Sequence, residues 1–308
     1  MPEGDTIFRT ATVLRRALVG GVARRALAQP GPGMARVPSL DPLVGRRVEA
    51  VNALGKHLLI GFSDGLWLRT HMRMKGSWHR YRPGEQWRLP LARASCLLET
   101  DTAVAVCFDA PVVELLTDAE LSRHPGLRSL GPDLLAEVLD LAEAVRRFRE
   151  RATVPLGEAL LDQRAVAGIG NVIKSEACFM ERLDPWAPVS LFSDEELTSV
   201  VGRAGALLAA NIGGWARVTT GLRGREESLW VYGRAGRPCR RCGTPIQARR
   251  QGEQSRTTYW CPSCQPGRVR SVGGVSEREE PPTPSPGGRR ESPASSHRRS
   301  GPRARGDG

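Results

Sequence analysis

No stretch of the 308 residues is apolar for long enough to cross a membrane. The first twenty residues also lack the basic start and unbroken apolar block of a signal peptide. We therefore expect a cytoplasmic protein with no membrane association. Lysine is nearly absent: Lys56, Lys75 and Lys174 are the only three among 45 basic residues. Basic residues still outnumber acidic ones by 45 to 33, giving a net charge of +12 and a pI near 10.2, which points to a polyanionic partner. An arginine bias of this size also follows from GC-rich codon usage, so charge alone does not establish DNA binding. Cysteine is too sparsely patterned for a secreted disulfide scaffold. Cys96, Cys107 and Cys178 stand alone in apolar surroundings as expected core residues, and the other four cluster near the end.

The chain is long enough for two or three domains, and its 40% hydrophobic content suffices for real cores. Ile7, Ala11, Leu14 and Leu18 recur on one helical face, with Asp5 or Thr6 as candidate N-cap and Gly20-Gly21 as a stop. Pro2 and Glu3 lie just before this helix. From 46 to 116 the chain reads as short strands: "RRVEAVNAL", "KHLLIGF", "GLWLRTHM", "GSWHRY", "ASCLLET" and "AVAVCFD", with a hairpin signal at Ser63-Asp64-Gly65. This pattern predicts an antiparallel sandwich or barrel. "HPGLRSLGPDLL" (124–135) reads as a connector. Helical patterning follows over 134–151, 155–166, 172–180 and 194–211. Residues 268–308 carry nine arginines and five acids with little that is apolar, so we expect a disordered basic tail. It serves either as a solvated extension or as added salt-sensitive DNA affinity.

Four stretches carry candidate chemistry. "CRRC" (239–242) and "CPSC" (261–264) each present two thiolates from a tight turn. Together Cys239, Cys242, Cys261 and Cys264 suit one closed tetrahedral zinc site, with two disulfides as the alternative. The 18 intervening residues fit a β-hairpin whose Arg249, Arg250 and Arg256 are candidates for phosphate contacts. "LLDQRAVAGIGNVIKSEA" (160–177) reads as helix, glycine turn and helix, which suits either an ordinary core or close approach to a phosphate through Asn171 and Lys174. Lys56 in "LGKHLLI" is either a turn lysine or a functional cation. Arg73, Met74 and Lys75 in "THMRMKGSW" form either a plain hairpin tip or an apolar wedge flanked by cations, as base flipping requires.

Taken in order, "MPEG", "GKHL", "HPGLRSLGPD", "LLDQRAVAGIGN", "VYGRAGRPCRRCG" and "RTTYWCPSCQ" resemble the formamidopyrimidine-DNA glycosylase/endonuclease VIII family of base-excision repair enzymes. The resemblance spans residues 1 to about 267. "PEG" rather than "PEL", the short 220–230 segment and "SRTTYWCPSCQ" look like the endonuclease VIII branch. It implies an α+β fold: an N-terminal helix with an antiparallel β-sandwich (1–130), a helix–two-turn–helix domain (131–233) and a four-cysteine zinc finger (234–267) holding one structural Zn2+. It also implies a monomer acting on damaged DNA in the nucleoid.

By the same resemblance, loss of Met1 exposes the secondary amine of Pro2, whose pKa near ~8, against ~10.4 for lysine, leaves it more nucleophilic at neutral pH. Pro2 attacks C1′ and forms a Schiff base, Glu3 shuttles protons, and β,δ-elimination follows. Lys56 and Arg256 hold the flanking phosphates, and Asn171, Lys174 and Arg128 contact the backbone. Arg73, Met74 and Lys75 fill the vacated stack. Three positions depart from the family pattern: Thr6 replaces a common glutamate, the wedge reads Arg-Met-Lys, and Ser129 displaces an arginine to Arg128. The expected substrate is an oxidised pyrimidine. An 8-oxoguanine or formamidopyrimidine enzyme, an abasic-site lyase, and a non-catalytic zinc-dependent DNA binder are the alternatives.

Overall fold

Helix α1 (Gly4–Leu18) buries Ile7, Ala11, Leu14 and Leu18, each at most 1% exposed. The computed structural model describes residues 2–30, 36–214, 216–222, 224 and 227–268. The N-cap of α1 is Glu3, earlier than the expected Asp5 or Thr6, because the Glu3 carbonyl already accepts from Thr6 N and Ile7 N at 2.9 and 3.1 Å. After β1 (Arg25–Ala28) come β2 (Val48–Leu54), β3 (His57–Phe62), β4 (Leu66–His71), β5 (Ser77–Tyr81), β6 (Ala94–Glu99), β7 (Val104–Phe108) and β8 (Val112–Thr117). They form two antiparallel four-stranded sheets, in the orders β1-β6-β7-β5 and β2-β3-β4-β8.

The six strands expected over 46–116 are all present; β1 and β8 are additions. Residues Val51, Leu58, Ile60 and Leu68 from one sheet and Cys96, Leu98, Ala105 and Cys107 from the other share a core with α1. Burying a side chain of this kind contributes ~1.5–3 kcal/mol, so the shared core is what fixes α1, and the residues just before it, against the sandwich.

Thr117 and Glu120 form a capping box that starts α2 (Asp118–Arg123), just before the expected connector, and within the connector α3 (Pro125–Arg128) adds one turn. The helical patterning of 134–166 overstates the helices. Only α4 (Leu141–Arg149) and α5 (Leu156–Ala159) form there. Asp140 starts α4 by accepting from Glu143 N at 2.8 Å, so residues before it cannot join. Asp162 accepts from Arg164 N at 3.0 Å, an Asx-type turn that ends the α5 region.

Then come α6 (Asn171–Met180) and α7 (Asp194–Ala210), close to the sequence reading. With Phe148, Leu160, Ile169 and Leu208 they build a second core. The hairpin is β9 (Gln247–Gln251) paired with β10 (Arg256–Trp260). Arg268 is part of the folded body, donating to Glu196 Oε2 at 2.9 Å, and the rest of the expected tail lies outside the described residues.

Candidate active site

The N-terminus enters the seam between the two cores through the glycine turn before α6. Gly4 N donates to Gly168 O at 2.9 Å, and Gly168 itself takes φ +106°, a conformation glycine adopts without steric cost. A Cβ at Gly170 would fall 2.3 Å from Glu3 Cδ and Cγ. "PEG" and "GIGN" are therefore two halves of one structure.

Glu3, 0% exposed, gives its own helix no side-chain cap. Its carboxylate caps α6 instead, accepting from Val172 N at 2.9 Å and Ile173 N at 3.2 Å. Those are orphan donors at the positive end of the helix, so the carboxylate gains both hydrogen bonds and dipole attraction.

Lys56, at the turn between β2 and β3, donates from Nζ to Ile169 O in the same glycine turn. Burial pushes its pKa down to about 8; the Glu3 carboxylate opposes this, while Arg256 and Arg217 add to it. Asp133 fixes the lysine's turn by accepting from Gly55 N at 2.7 Å. Pro2 opens onto a cleft of about 560 Å³ lined also by Asp5, Thr6, Met74, Arg217 and Tyr232.

Two groups here went unnoticed in the sequence. Arg217 clamps Asp5, with Nε and Nη2 each 2.6 Å from a carboxylate oxygen, and it also donates to Thr6 Oγ1 at 3.1 Å. Its Nη1 lies 3.9 Å from Glu3 Oε1. Thr6, the departure from the family pattern, is thus a partner of the arginine. The fully buried Glu176 accepts from Trp230 N, Val231 N and Tyr232 N at 2.8–2.9 Å, and from Thr219 Oγ1. It thereby organises the loop that walls the cleft. Neither carried a local signal, because each partner is remote in the chain.

Lys174 is a correction. It is 0% exposed, and its Nζ donates to Thr258 Oγ1 at 2.6 Å, so it ties α6 to β10 and presents no charge to a phosphate. Its pKa is pushed down to about 8 by burial. Asn171, 5% exposed, donates through Nδ2 to Thr257 O at 2.7 Å. Arg73, Met74 and Lys75 sit at the exposed turn between β4 and β5, and Met74 is 47% exposed. Arg256 reaches this turn from β10, its Nη1 2.7 Å from Met74 Sδ. Arg128 is exposed at the end of α3. Arg249 stacks over Trp186 at 3.8 Å, and Arg250 is exposed on the same strand.

The four cysteines converge as free thiols, with their sulfurs all within 4.8 Å of one another. Separations of 3.9 Å for Cys239–Cys264 and 3.5 Å for Cys242–Cys261 and Cys242–Cys264 are too long for the ~2.05 Å of a disulfide. They match the ~3.8 Å edge of a tetrahedron with ~2.3 Å metal–sulfur bonds. The donor set therefore fits one four-coordinate metal ion with every position filled by protein.

The profile of the formamidopyrimidine-DNA glycosylase N-terminal domain matches residues 1–111, and that of the family's H2TH domain matches 130–220. A Streptomyces coelicolor protein named "Probable endonuclease 8 2" is 43% identical, covering 89% of this chain and 97% of its own. The chain belongs to the formamidopyrimidine-DNA glycosylase/endonuclease VIII family. A Mycolicibacterium smegmatis relative named "DNA-(apurinic or apyrimidinic site) lyase Nei2" is 41% identical, covering 86% of this chain and 99% of its own. Membership lies in the endonuclease VIII branch of the family. The crystal structure of MutM from Thermus thermophilus superposes with a TM-score of 0.71 at 28% identity, covering 86% and 98% of the two chains.

Proposed function

We propose that the chain excises oxidised pyrimidines from damaged DNA and cleaves the strand by β,δ-elimination through a Schiff base on Pro2. Glycosylase and abasic-site lyase activity come with the family; the lesion class and the residue roles are our reading. The observation that carries it is the placement of Glu3. A carboxylate adjacent to Pro2 is fixed on the N-terminus of α6, with Lys56 on the same glycine turn.

In this reading, removal of Met1 frees the Pro2 amine, which attacks C1′ as the glycosidic bond breaks and the base leaves with the bonding pair. Glu3 moves protons between the leaving base, the ring oxygen and C2′. Loss of the C2′ proton expels the 3′ phosphate, and a second elimination expels the 5′ phosphate, leaving a gap. Lys56 and Arg256 hold the flanking phosphates, Met74 enters the vacated stack between Arg73 and Lys75, and Arg128 and Arg250 add backbone contacts. The four cysteines hold one structural zinc, which when bound closes the finger and keeps Arg256 in place. The protein acts as a monomer in the nucleoid.

A second reading has one observation in its favour, the relative named as an abasic-site lyase. Borohydride trapping separates the two. Incubated with a thymine-glycol duplex and with an abasic duplex, the protein traps on both, with DNA mass on Pro2. Trapping on the abasic duplex alone selects the lyase reading. Equal trapping by Pro2→Gly rejects the Pro2 mechanism.

A further inference from the structure

The turn between β4 and β5 is held by a histidine that the mechanism above does not use. Arg73 adopts φ +44°, a left-handed backbone that costs a non-glycine residue ~1–2 kcal/mol, and its amide donates to His71 Nδ1 at 3.1 Å. Behind His71 lies a partly buried polar array. The His57 ring packs edge-on at 4.7 Å, and His57 Nδ1 is 3.0 Å from Arg69 Nη2. Arginine only donates, so this His57 nitrogen accepts and the ring's proton sits on Nε2. Arg69 also donates to Glu114 on β8, and Glu114 lies 3.3 Å from His124 Nε2 at the start of α3. Strands β3, β4 and β8 and the N-cap of α3 all contribute to this array, which meets the His71 ring through His57. Its pKa is pushed down to about 4 by burial, then by Lys56, Arg69 and Arg73, so the ring stays neutral across the physiological range and Nδ1 remains an acceptor.

We infer that His71 is a positioning residue for the 73–75 turn: by accepting from the Arg73 amide it fixes the left-handed backbone that aims Met74 across the cleft. It thereby governs insertion into the stack and the choice of opposite base. This rests on the reading of Met74 as the residue that fills the stack.

The two ring nitrogens can be told apart by substitution, since an Asn oxygen sits near the place of Nδ1 and a Gln amide near that of Nε2. The full-length protein is compared with His71→Asn, His71→Gln and His71→Ala. One readout is the fluorescence of 2-aminopurine placed opposite an abasic analogue in duplex DNA. The other is the ratio of lyase rates on duplex and single-stranded abasic DNA, which cancels any shared loss of folded protein. Loss of one hydrogen bond of this kind predicts a ratio about tenfold lower for His71→Ala and His71→Gln, with flattened opposite-base dependence. His71→Asn stays within about threefold of wild type, the geometry of its bond being only roughly preserved. Rescue by Gln and not by Asn overturns the inference in favour of an Nε2 role, and equal behaviour of all three variants overturns it outright. Met74→Ala is the separate control: if it leaves the fluorescence change intact, the stack-filling reading itself fails.

Discussion

The ammonium of Lys56 is drawn away from solvent onto Ile169 O, and its pKa falls to about 8 while an unfolded lysine titrates near 10.5. The folded state thus resists the proton: the stability cost is full below pH 8 and disappears as pH rises towards 10.5. Lys56→Met should abolish excision yet raise the melting temperature at pH 7, by about 1–2 kcal/mol of stability once the lost hydrogen bond is subtracted. The gain should shrink by about pH 9.5. Calorimetry across that range checks it, and a lower melting temperature at neutral pH would contradict the assignment. Gly170 works in the opposite sense. An alanine Cβ would fall 2.3 Å from the Glu3 carboxyl, displacing it from two buried amides. Gly170→Ala should cost about 2–4 kcal/mol and reduce Schiff-base trapping far more than DNA affinity. Equal losses of trapping and affinity in a gel-shift titration would refute that. The glycine was visible in the sequence as a turn; its reason, a carboxylate from 167 residues away, was not.

At the scale of elements, local patterns carried α1, β2 to β7, α6, α7 and the zinc hairpin, because each has a period or a turn signal within its own residues. The Leu- and Ala-rich 134–166 stretch misled because apolar turns packed in a core show the same composition as a helix. Lys174 misled for a related reason. Residues Asn171–Phe179 of α6 are buried on every face, so this lysine was placed by tertiary packing and not by solvent. It anchors a chain in which Lys174 donates to Thr258, Thr258 Oγ1 to Gln251 Oε1 at 2.6 Å, and Gln251 Nε2 to Pro185 O at 2.8 Å. Breaking it should loosen the hairpin without removing a phosphate contact. Lys174→Ala should therefore destabilise the protein by about 1–3 kcal/mol and leave the salt dependence of DNA binding unaltered. Arg250→Ala should do the reverse, reducing the slope of log K against log salt by about one. Binding isotherms at several salt concentrations distinguish the two, and a reduced slope for Lys174→Ala would restore it to the DNA surface.

The cleft is assembled from parts of the chain that meet only in the whole molecule: residues 2–6, the turn at 55–56, the glycine turn, the Arg217 segment and the hairpin. The Asp5–Arg217 pair joins residues 212 apart, which no local pattern can reveal. The hairpin is the least independent part. Its own core is small, centred on Phe179, Val231 and Ile246 with two of the cysteines. The rest of its attachment is aromatic and polar: Trp260 packs edge-on against Trp186 at 5.1 Å, Arg241 donates to Phe179 O and Met180 O at 3.0 and 3.2 Å, and Gln265 donates to Leu183 O at 2.8 Å. Without a metal to close the four thiolates, this amount of burial should not hold the segment, whereas the two larger cores need no metal. Exhaustive chelation should therefore melt residues 234–265 alone, shifting Trp230 and Trp260 fluorescence while the β-sheet signal persists. Arg256 would leave the cleft with the hairpin, so excision from duplex DNA should fall by about ten- to a hundredfold, the ~1.5–3 kcal/mol of a hydrogen bond to a charged phosphate. Because Pro2, Glu3 and α6 are held by the other cores, some trapping on single-stranded abasic DNA should survive, and zinc should restore duplex activity. Elemental analysis showing no bound metal, or a hairpin unchanged after chelation, would refute the structural role given to the four cysteines.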